Sequence, residues 1–231
     1  MSPVDCIFLD PARRNEHGGK TVAISDCEPN VAELEGLLLS KANRIMIKLS
    51  PMLDLSQALK ELPHTQEVHI ISVNNECKEL LLLLGQTAPE EIPVHCVNLS
   101  TKGEQEKQLF VFTREQEQHS ECSYTDTLGN YLYEPNASLL KAGAFRSIAV
   151  AYSVKKLHPN SHLYTSETQI EGFPGRTFRI INRCSLNKKE IKENLSDLKK
   201  ANITVRNFPA TVAELRKRIK LAEGGDTLPA P

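Results

Sequence analysis

Near the beginning of the chain, an apolar run ends in an acidic residue and a proline: Val4-Asp5-Cys6-Ile7-Phe8-Leu9-Asp10-Pro11. The same arrangement returns at Arg44-Ile45-Met46-Ile47-Lys48-Leu49, which is followed by Ser50-Pro51. Short apolar runs that stop at a proline are typical of buried parallel strands. Open α/β sheets bind ligands at the carboxyl ends of such strands, so we expect Asp10 to face a crevice there. The alternative is that Asp10 only caps a turn.

The next hundred residues extend this pattern. Apolar runs predict further strands at residues 68–73, 93–99 and 108–112. Apolar spacing predicts helices at residues 30–39, 55–62 and 77–84, the second capped by Asp54 and the third ended by Gly85. Strands that alternate with helices indicate a mostly parallel α/β sheet, and the last two strands, with no helix between them, indicate a closing antiparallel pair.

The second half of the chain is organised differently. Residues 113–126 are polar and predict a linker or a long surface loop. After it we predict helices at 136–144, 188–200 and 211–221, the last opening with Thr211-x-x-Glu214, and strands at 147–152, 177–181 and 203–208. This order suits a small α+β module.

The composition is that of an ordinary globular protein, with 231 residues, 40% hydrophobic and 25% charged, which excludes collagen-like and wholly disordered chains. The longest apolar run, Leu80 to Leu84, is far shorter than the roughly 20 residues of a membrane span, so we expect a cytoplasmic protein with no membrane partner. Charge is uneven along the chain. Residues 1–124 carry 11 Lys and Arg against 19 Asp and Glu, whereas residues 125–231 carry 17 against 10. An acidic half joined to a basic half indicates two modules, the basic one facing an anionic partner.

Neither cysteine nor histidine spacing predicts a metal site. The six cysteines lie singly and far apart, without a Cys-x-x-Cys pair, so free thiols are expected. His158 and His162 flank Pro159-Asn160-Ser161, and on a proline-containing loop they would not share a helix face. We therefore expect a structural or surface role for both histidines and no metal.

Several phrases in order carry a resemblance to a known family. Asp10-Pro11-Ala12-Arg13-Arg14 after an apolar strand resembles the (Asp/Asn)-Pro-Pro-type fourth motif of class I S-adenosylmethionine-dependent methyltransferases. Phrases that span nearly the whole chain resemble a bacterial family of methyltransferase-like proteins with a ferredoxin-like and a C-terminal THUMP-like domain: residues 48–54, 131–136, 141–145, 157–164, 173–176 and 206–209. The resemblance implies the later half of a Rossmann-like sheet at 1–125, a ferredoxin-like domain at 126–168 and a THUMP-like domain at 169–231.

The resemblance also implies roles for particular residues. Asp10 would accept a hydrogen bond from the target amine or from S-adenosylmethionine, Pro11 would stiffen the loop, and Arg13 or Arg14 would hold a phosphate or carboxylate. Ser50 would lie beside the cofactor on the neighbouring loop. The alternative for Ser50, Pro51 and Asp54 is that they only cap the following helix.

One departure from the family's sequence pattern limits the activity that the resemblance implies. The eleven glycines never form the Gly-x-Gly of the family's cofactor loop, and the first readable strand already ends in the fourth motif. We therefore expect the earlier strands upstream of Met1 and weak or absent cofactor binding by residues 1–231. Two alternatives stay open: a non-catalytic nucleic-acid-binding module, and a scaffold completed by a second copy or another chain through an exposed sheet edge.

The basic half predicts an RNA-binding surface. Its cations lie near Phe173, Phe178 and Phe208, and clustered cations interleaved with aromatic side chains suit contacts to a phosphate backbone and to bases. The alternative is a solvated helix face with a surplus of charge. The predicted RNA-binding residues are Arg176, Arg179, Lys192, Arg216, Lys217 and Arg218.

Overall fold

The computed structural model describes residues 4–13, 23–101, 107–206 and 208–225, with only the backbone of Arg13. The chain divides into two compact units that are not consecutive in sequence. The first comprises Met1–Cys122, Pro135–Ser153 and Gly172–Arg176, and the second comprises Ser123–Glu134, Val154–Glu171 and Thr177–Pro231. No helix in the described part of the chain is long and apolar enough to cross a membrane.

The described residues form short strands and helices throughout. The strands are β1 (Val4–Leu9), β2 (Ala12–Arg13), β3 (Cys27–Glu28), β4 (Ala42–Leu49), β5 (Thr65–Val73), β6 (Glu76–Leu84), β7 (Pro93–Leu99), β8 (Lys107–Thr113), β9 (Tyr131–Pro135), β10 (Lys155–His158), β11 (Ser161–Ser166) and β12 (Gly175–Arg179). The helices are α1 (Val31–Leu39), α2 (Leu55–Glu61), α3 (Arg114–His119), α4 (Ala137–Ala142), α5 (Ser147–Ala151), α6 (Lys188–Leu195) and α7 (Val212–Ile219), with a 3₁₀ turn at Ile24–Asp26.

The first unit is built on a mixed sheet of six described strands in the order β1-β4-β6-β5-β7-β8. β1 runs parallel to β4 and β5 parallel to β7, while β6 lies antiparallel between β4 and β5. The predicted closing pair is confirmed, because β8 runs antiparallel to β7. The α/β fold class is confirmed, with this sheet in the first unit and a second, smaller sheet formed by β9–β12. The expectation of a mostly parallel sheet is wrong, because only two of the five described pairings in the six-stranded sheet are parallel.

The two faces of the six-stranded sheet differ in burial. Residues on one face alternate into the core, among them Ile47 on β4, Leu82 on β6 and Ile70 on β5, all fully buried. α4 packs against β5, β6 and β7. The opposite face stays half-exposed. The expectation that residues 4–9 form a buried strand is wrong, because β1 lies at an edge of the described sheet and none of its residues is buried.

The helix predicted at residues 77–84 is wrong, since these residues belong to strand β6. Asn74 and Asn75 both adopt positive φ, 50° and 63°, and make a tight turn that folds β6 back against β5. Asparagine tolerates this left-handed conformation better than most residues, and positive φ at both central positions matches the twist of a hairpin. Leu80, Leu82 and Leu84 are buried, whereas Leu81 and Leu83 lie on the half-exposed face, so both faces of this central strand carry leucine.

Two further predictions in this part of the chain are wrong. Residues 114–119, expected in a polar linker, form α3, which opens with a capping box between Thr113 and Gln116. Residues 147–151, expected in a strand, form α5. The N-cap of α5, Arg146, offers no side-chain cap, and the carboxylate of Glu117 on α3 accepts hydrogen bonds from the backbone N–H groups of Phe145, Arg146 and Ser147 instead. The cap is remote in sequence, which is why local spacing missed the helix.

The second sheet has the order β10-β11-β9-β12. β10 and β11 form a hairpin where the sequence indicated a loop, and the tyrosines Tyr133 and Tyr164 are fully buried. Lys156 is also buried, and its ammonium group donates to the carbonyl oxygens of His158 and Pro159 in the hairpin turn. The prediction of a strand at 203–208 is wrong for residues 203–206 and 208, which form no strand. Asn207 lies outside the described residues.

Candidate functional site

Asp10 lies at the carboxyl end of β1, beside the end of the parallel strand β4. Its carboxylate is 2.5 Å from the ammonium nitrogen of Lys48 on β4, and the same ammonium lies 4.0 Å from the carboxylate of Glu79 on β6. The hydrogen bond to Asp10, with Glu79 nearby, raises the pKa of Lys48 above its ordinary value. The residue predicted to face a ligand therefore has a cationic partner on the neighbouring strand.

The other residues predicted at this edge have varied surroundings. Pro11 is buried, and Arg13 pairs through its backbone with Cys27 in the small β2–β3 ladder; its side chain and all of Arg14 lie outside the described residues. Ser50 follows β4, so it comes after the neighbouring parallel strand, and its hydroxyl accepts a hydrogen bond from the N–H of Met52. Asp54 caps α2 by accepting from Gln57, as the alternative interpretation held. The roles assigned to Asp10, Pro11, Arg13 and Ser50 stay predictions.

The described residues at this edge show no pocket assigned to S-adenosylmethionine, and the expectation of weak or absent cofactor binding stays a prediction. The Asp10 carboxylate is engaged by Lys48, the Ser50 hydroxyl accepts from its own turn, and no Gly-x-Gly loop occurs in the sequence to admit the cofactor's methionine end. We therefore derive no methyl-transfer step from these residues.

The predicted RNA-binding cations are mostly exposed. Lys192 on α6 and Lys217 and Arg218 on α7 are exposed. Arg216 differs, because it is half-buried and its guanidinium donates to the carbonyl oxygens of Ala201 and Leu221, at 3.5 and 3.2 Å. That side chain holds the C-terminal end of α7 in place, so Lys217 and Arg218 are the cations of α7 best placed for a ligand.

Two more predicted cations lie on β12. Arg176 and Arg179 are both exposed, and Arg179 lines an open cleft together with Asn130, Glu167 and Thr168. The carboxylate of Glu167 in this cleft opposes a phosphate group, so the cleft suits a polar ligand better than a backbone phosphate.

The aromatic part of the RNA prediction needs correction. Phe173 is buried and packs edge-on against Tyr152, with ring centroids 5.3 Å apart, so it is not available to stack on a base. Phe178 is half-buried, and Phe208 keeps 36% of its surface exposed. Arg206 donates to the buried carboxylate of Glu134 at 2.6 Å, which removes one cation from the free basic surface.

The structure brings together three residues that the sequence analysis passed over: Glu67 and His69 on β5, and His95 on β7. Burial and the neighbouring His69 lower the pKa of His95, while Glu67 acts in the opposite direction. The available signal was a Glu-x-His pair that straddles the start of the strand predicted at 68–73, with a histidine in the strand predicted at 93–99. His158 and His162, by contrast, lie on the β10–β11 hairpin, and burial lowers the pKa of His162.

Comparisons with known proteins agree with this architecture. Residues 131–174 match the family model of a ferredoxin-like domain, and residues 175–229 match a family described as THUMP domain-like. The chain therefore contains a ferredoxin-like domain followed by a THUMP-like domain. The ferredoxin-like domain includes β9, α4, α5 and the β10–β11 hairpin, and the THUMP-like domain includes α6 and α7. The boundaries predicted at 125/126 and 168/169 stay predictions.

A solved structure extends the similarity beyond these two domains. The chain is 41% identical to a protein from Porphyromonas gingivalis W83 whose crystal structure is described as that of a "putative methyltransferase", with a TM-score of 0.85. The match covers 98% of this chain and 55% of that chain, so this chain spans about half the length of its relative. No curated protein matches the chain. The resemblance noted in the sequence, to a methyltransferase-like protein with these two domains, is confirmed.

Proposed function

We propose that this chain is the RNA-binding C-terminal portion of a methyltransferase-like protein that modifies structured RNA with S-adenosylmethionine. The observation that carries the proposal is the THUMP domain-like match over residues 175–229, which contains the exposed cations of α6 and α7. Free cysteines, all six of them, suit the reducing cytoplasm in which we place the protein.

Binding is electrostatic in this proposal. Lys192, Lys217 and Arg218 extend from helix surfaces without an ion-pair partner among the described residues, so each can neutralise one backbone phosphate. Neutralised phosphates release counterions, and the logarithm of the binding constant then falls with the logarithm of salt concentration, by about 0.7 per contact on single strands. Phosphate contacts carry no sequence information, so sequence preference is slight.

The test is filter binding of the whole chain to a structured RNA across a salt series. The double variant Lys217→Gln/Arg218→Gln should bind more weakly and have a salt slope shallower by about 1.4, since two contacts of about 0.7 each are removed. The matched control is Lys41→Gln/Lys60→Gln, which removes two exposed lysines of the first unit. Equal losses in both double variants, or an affinity that salt does not change, would contradict the proposal.

At the carboxyl edge of β1 and β4, we propose that Asp10, Pro11, Arg13 and Ser50 contribute to a cofactor and target site that is incomplete in residues 1–231. Calorimetric titration of the chain with S-adenosylmethionine should therefore give a dissociation constant weaker than about 10 μM, or about −7 kcal/mol. Tighter binding would mean that these residues form a complete site.

A second candidate function is a non-catalytic RNA-binding module or scaffold, completed by a second copy or by another chain. The observation that favours it is the half-exposed face of the six-stranded sheet, with β1 at its edge. Exposed strand edges and apolar faces favour association. The dependence of the sedimentation coefficient on protein concentration tests this candidate separately from RNA binding.

A further inference from the structure

Three potential ligand groups share one patch on the half-exposed face of the six-stranded sheet. Glu67 and His69 are two residues apart on β5, so their side chains lie on the same face. β5 and β7 pair in parallel, and the register places His95 directly beside His69. The tertiary pairing of two strands therefore gathers residues that are 26 positions apart in sequence.

The side-chain atoms converge. The Nε2 atom of His69 lies 3.2 Å from the Oε2 atom of Glu67, and the Nε2 atom of His95 lies 4.0 Å from the same oxygen. One ligand atom from each residue can be chosen so that all lie within 4.8 Å of one another. The two imidazole rings are stacked with centroids 4.4 Å apart and an angle of 8° between their planes.

A hydrogen bond alone accounts for only part of this arrangement. The hydrogen bond explains the contact between His69 and Glu67. The side chain of His95 is only 25% exposed, yet within the described part of the chain its ring nitrogens have no hydrogen-bond partner. Leu81 and Val111 lie next to His69 and His95 in the strand register, so the patch has apolar neighbours. A cation held by the carboxylate and both rings would satisfy all three groups.

We propose that Glu67, His69 and His95 bind one divalent transition-metal ion of the zinc class. Imidazole and carboxylate are ligands that zinc accepts, at about 2.0–2.2 Å, and two histidines with one glutamate form a known ligand set for sites that keep an open coordination position. Tetrahedral bonds of this length put ligand atoms roughly 3.3 Å apart, so His69 and Glu67 already have the required separation. His95 closes the site by a rotation of its ring.

The first test is calorimetric titration of the whole chain with Zn²⁺. The wild-type chain should bind one ion at this site, and His95→Gln and Glu67→Gln should each weaken that binding by about 100-fold or more, since even the loss of an outer-shell partner costs 10–100-fold. His119→Gln is the matched control, because His119 is an exposed histidine on α3. No binding by the wild-type chain, or equal binding by His95→Gln and His119→Gln, would overturn the proposal.

The second test needs no variant, so it stands even if a substitution disturbs folding. X-ray absorption of the Zn²⁺-loaded wild-type chain should show nitrogen and oxygen neighbours, two of them from imidazole. A sulfur neighbour at about 2.3 Å would place the ion on cysteines instead and would overturn the proposal.

Discussion

At the scale of single residues, Glu117 stabilises a helix to which it does not belong. Its carboxylate accepts from the N–H groups of Phe145, Arg146 and Ser147 and from the Ser147 hydroxyl, at 2.7–3.1 Å. These N–H groups lie at the N-terminus of α5, where a helix leaves donors unpaired and favours negative charge. We expect Glu117→Ala to lower the free energy of unfolding by about 2 kcal/mol, measured by urea denaturation.

The control for Glu117 lies two residues earlier on the same helix. Glu115 is 59% exposed, and its ion-pair contact among the described residues is to His119, at 3.9 Å, so Glu115→Ala should change stability by less than about 0.5 kcal/mol. Glu117→Gln keeps an oxygen acceptor and should fall between the two. A similar stability for Glu117→Ala and Glu115→Ala would mean that this cap contributes nothing.

The carboxylate of Glu214 makes the stability of helix α7 depend on pH. The backbone N–H and the hydroxyl of Thr211 donate to its carboxylate, which lowers the pKa of Glu214 below its ordinary value. Because the pKa is lowered, the capping box stabilises α7 fully at pH values above the ordinary carboxyl pKa of about 4.3. This stabilisation is lost as the pH falls through the lowered pKa. Carboxyl carbon NMR should show this low pKa, and Thr211→Ala, which removes the hydroxyl donor but keeps the backbone N–H donor, should raise the pKa part of the way back towards its ordinary value. An unchanged titration in Thr211→Ala would contradict the assignment.

At the scale of secondary-structure elements, the turn between β5 and β6 determines the conformation of the leucine run. Asn75 combines a φ of 63° with a side chain that accepts from the N–H of Ala137, the first residue of α4. Asn75→Ala should lower the free energy of unfolding by about 2 kcal/mol, because it strains the left-handed backbone and removes that hydrogen bond. Asn75→Gly loses only the hydrogen bond and should cost about 1 kcal/mol. Chemical denaturation checks both, and a larger loss in the glycine variant would refute this explanation.

At the scale of the whole molecule, the half-exposed face of the six-stranded sheet is the feature most relevant to association. Phe8 on β1 and Leu109 and Val111 on β8 are 58%, 47% and 43% exposed. Phe8 lies at one edge of this sheet and Leu109 and Val111 lie at the other, and exposed apolar side chains on edge strands favour self-association. We expect the sedimentation coefficient of the wild-type chain to rise with protein concentration, and Leu109→Gln/Val111→Thr to reduce that rise. A monomer at every concentration would count against both the association and the scaffold candidate.

The sequence by itself determined the features that depend on neighbours three or four residues away. Asn30, Asp54 and Thr211 cap helices that spacing predicted, and short apolar runs located five of the six described strands of the large sheet, all except β6. Both signals are local. The sequence also showed the resemblance to a methyltransferase-like family, and this resemblance was confirmed by the two domain matches and by the solved relative. At the candidate site, it placed Asp10 and Ser50 at the ends of two strands that proved to be neighbours.

Only the tertiary structure decided the features that depend on distant partners. The leucines of β6 form a strand because β4 and β5 lie on either side, whereas an apolar run alone suits a helix equally well. Arg216 is withdrawn from the basic surface by two carbonyl groups, and Asp10 is paired with Lys48 across neighbouring strands. Glu67, His69 and His95 meet through the register of β5 and β7, and strand register is set by which face is buried and by the pairing of remote segments, so no local spacing reveals it.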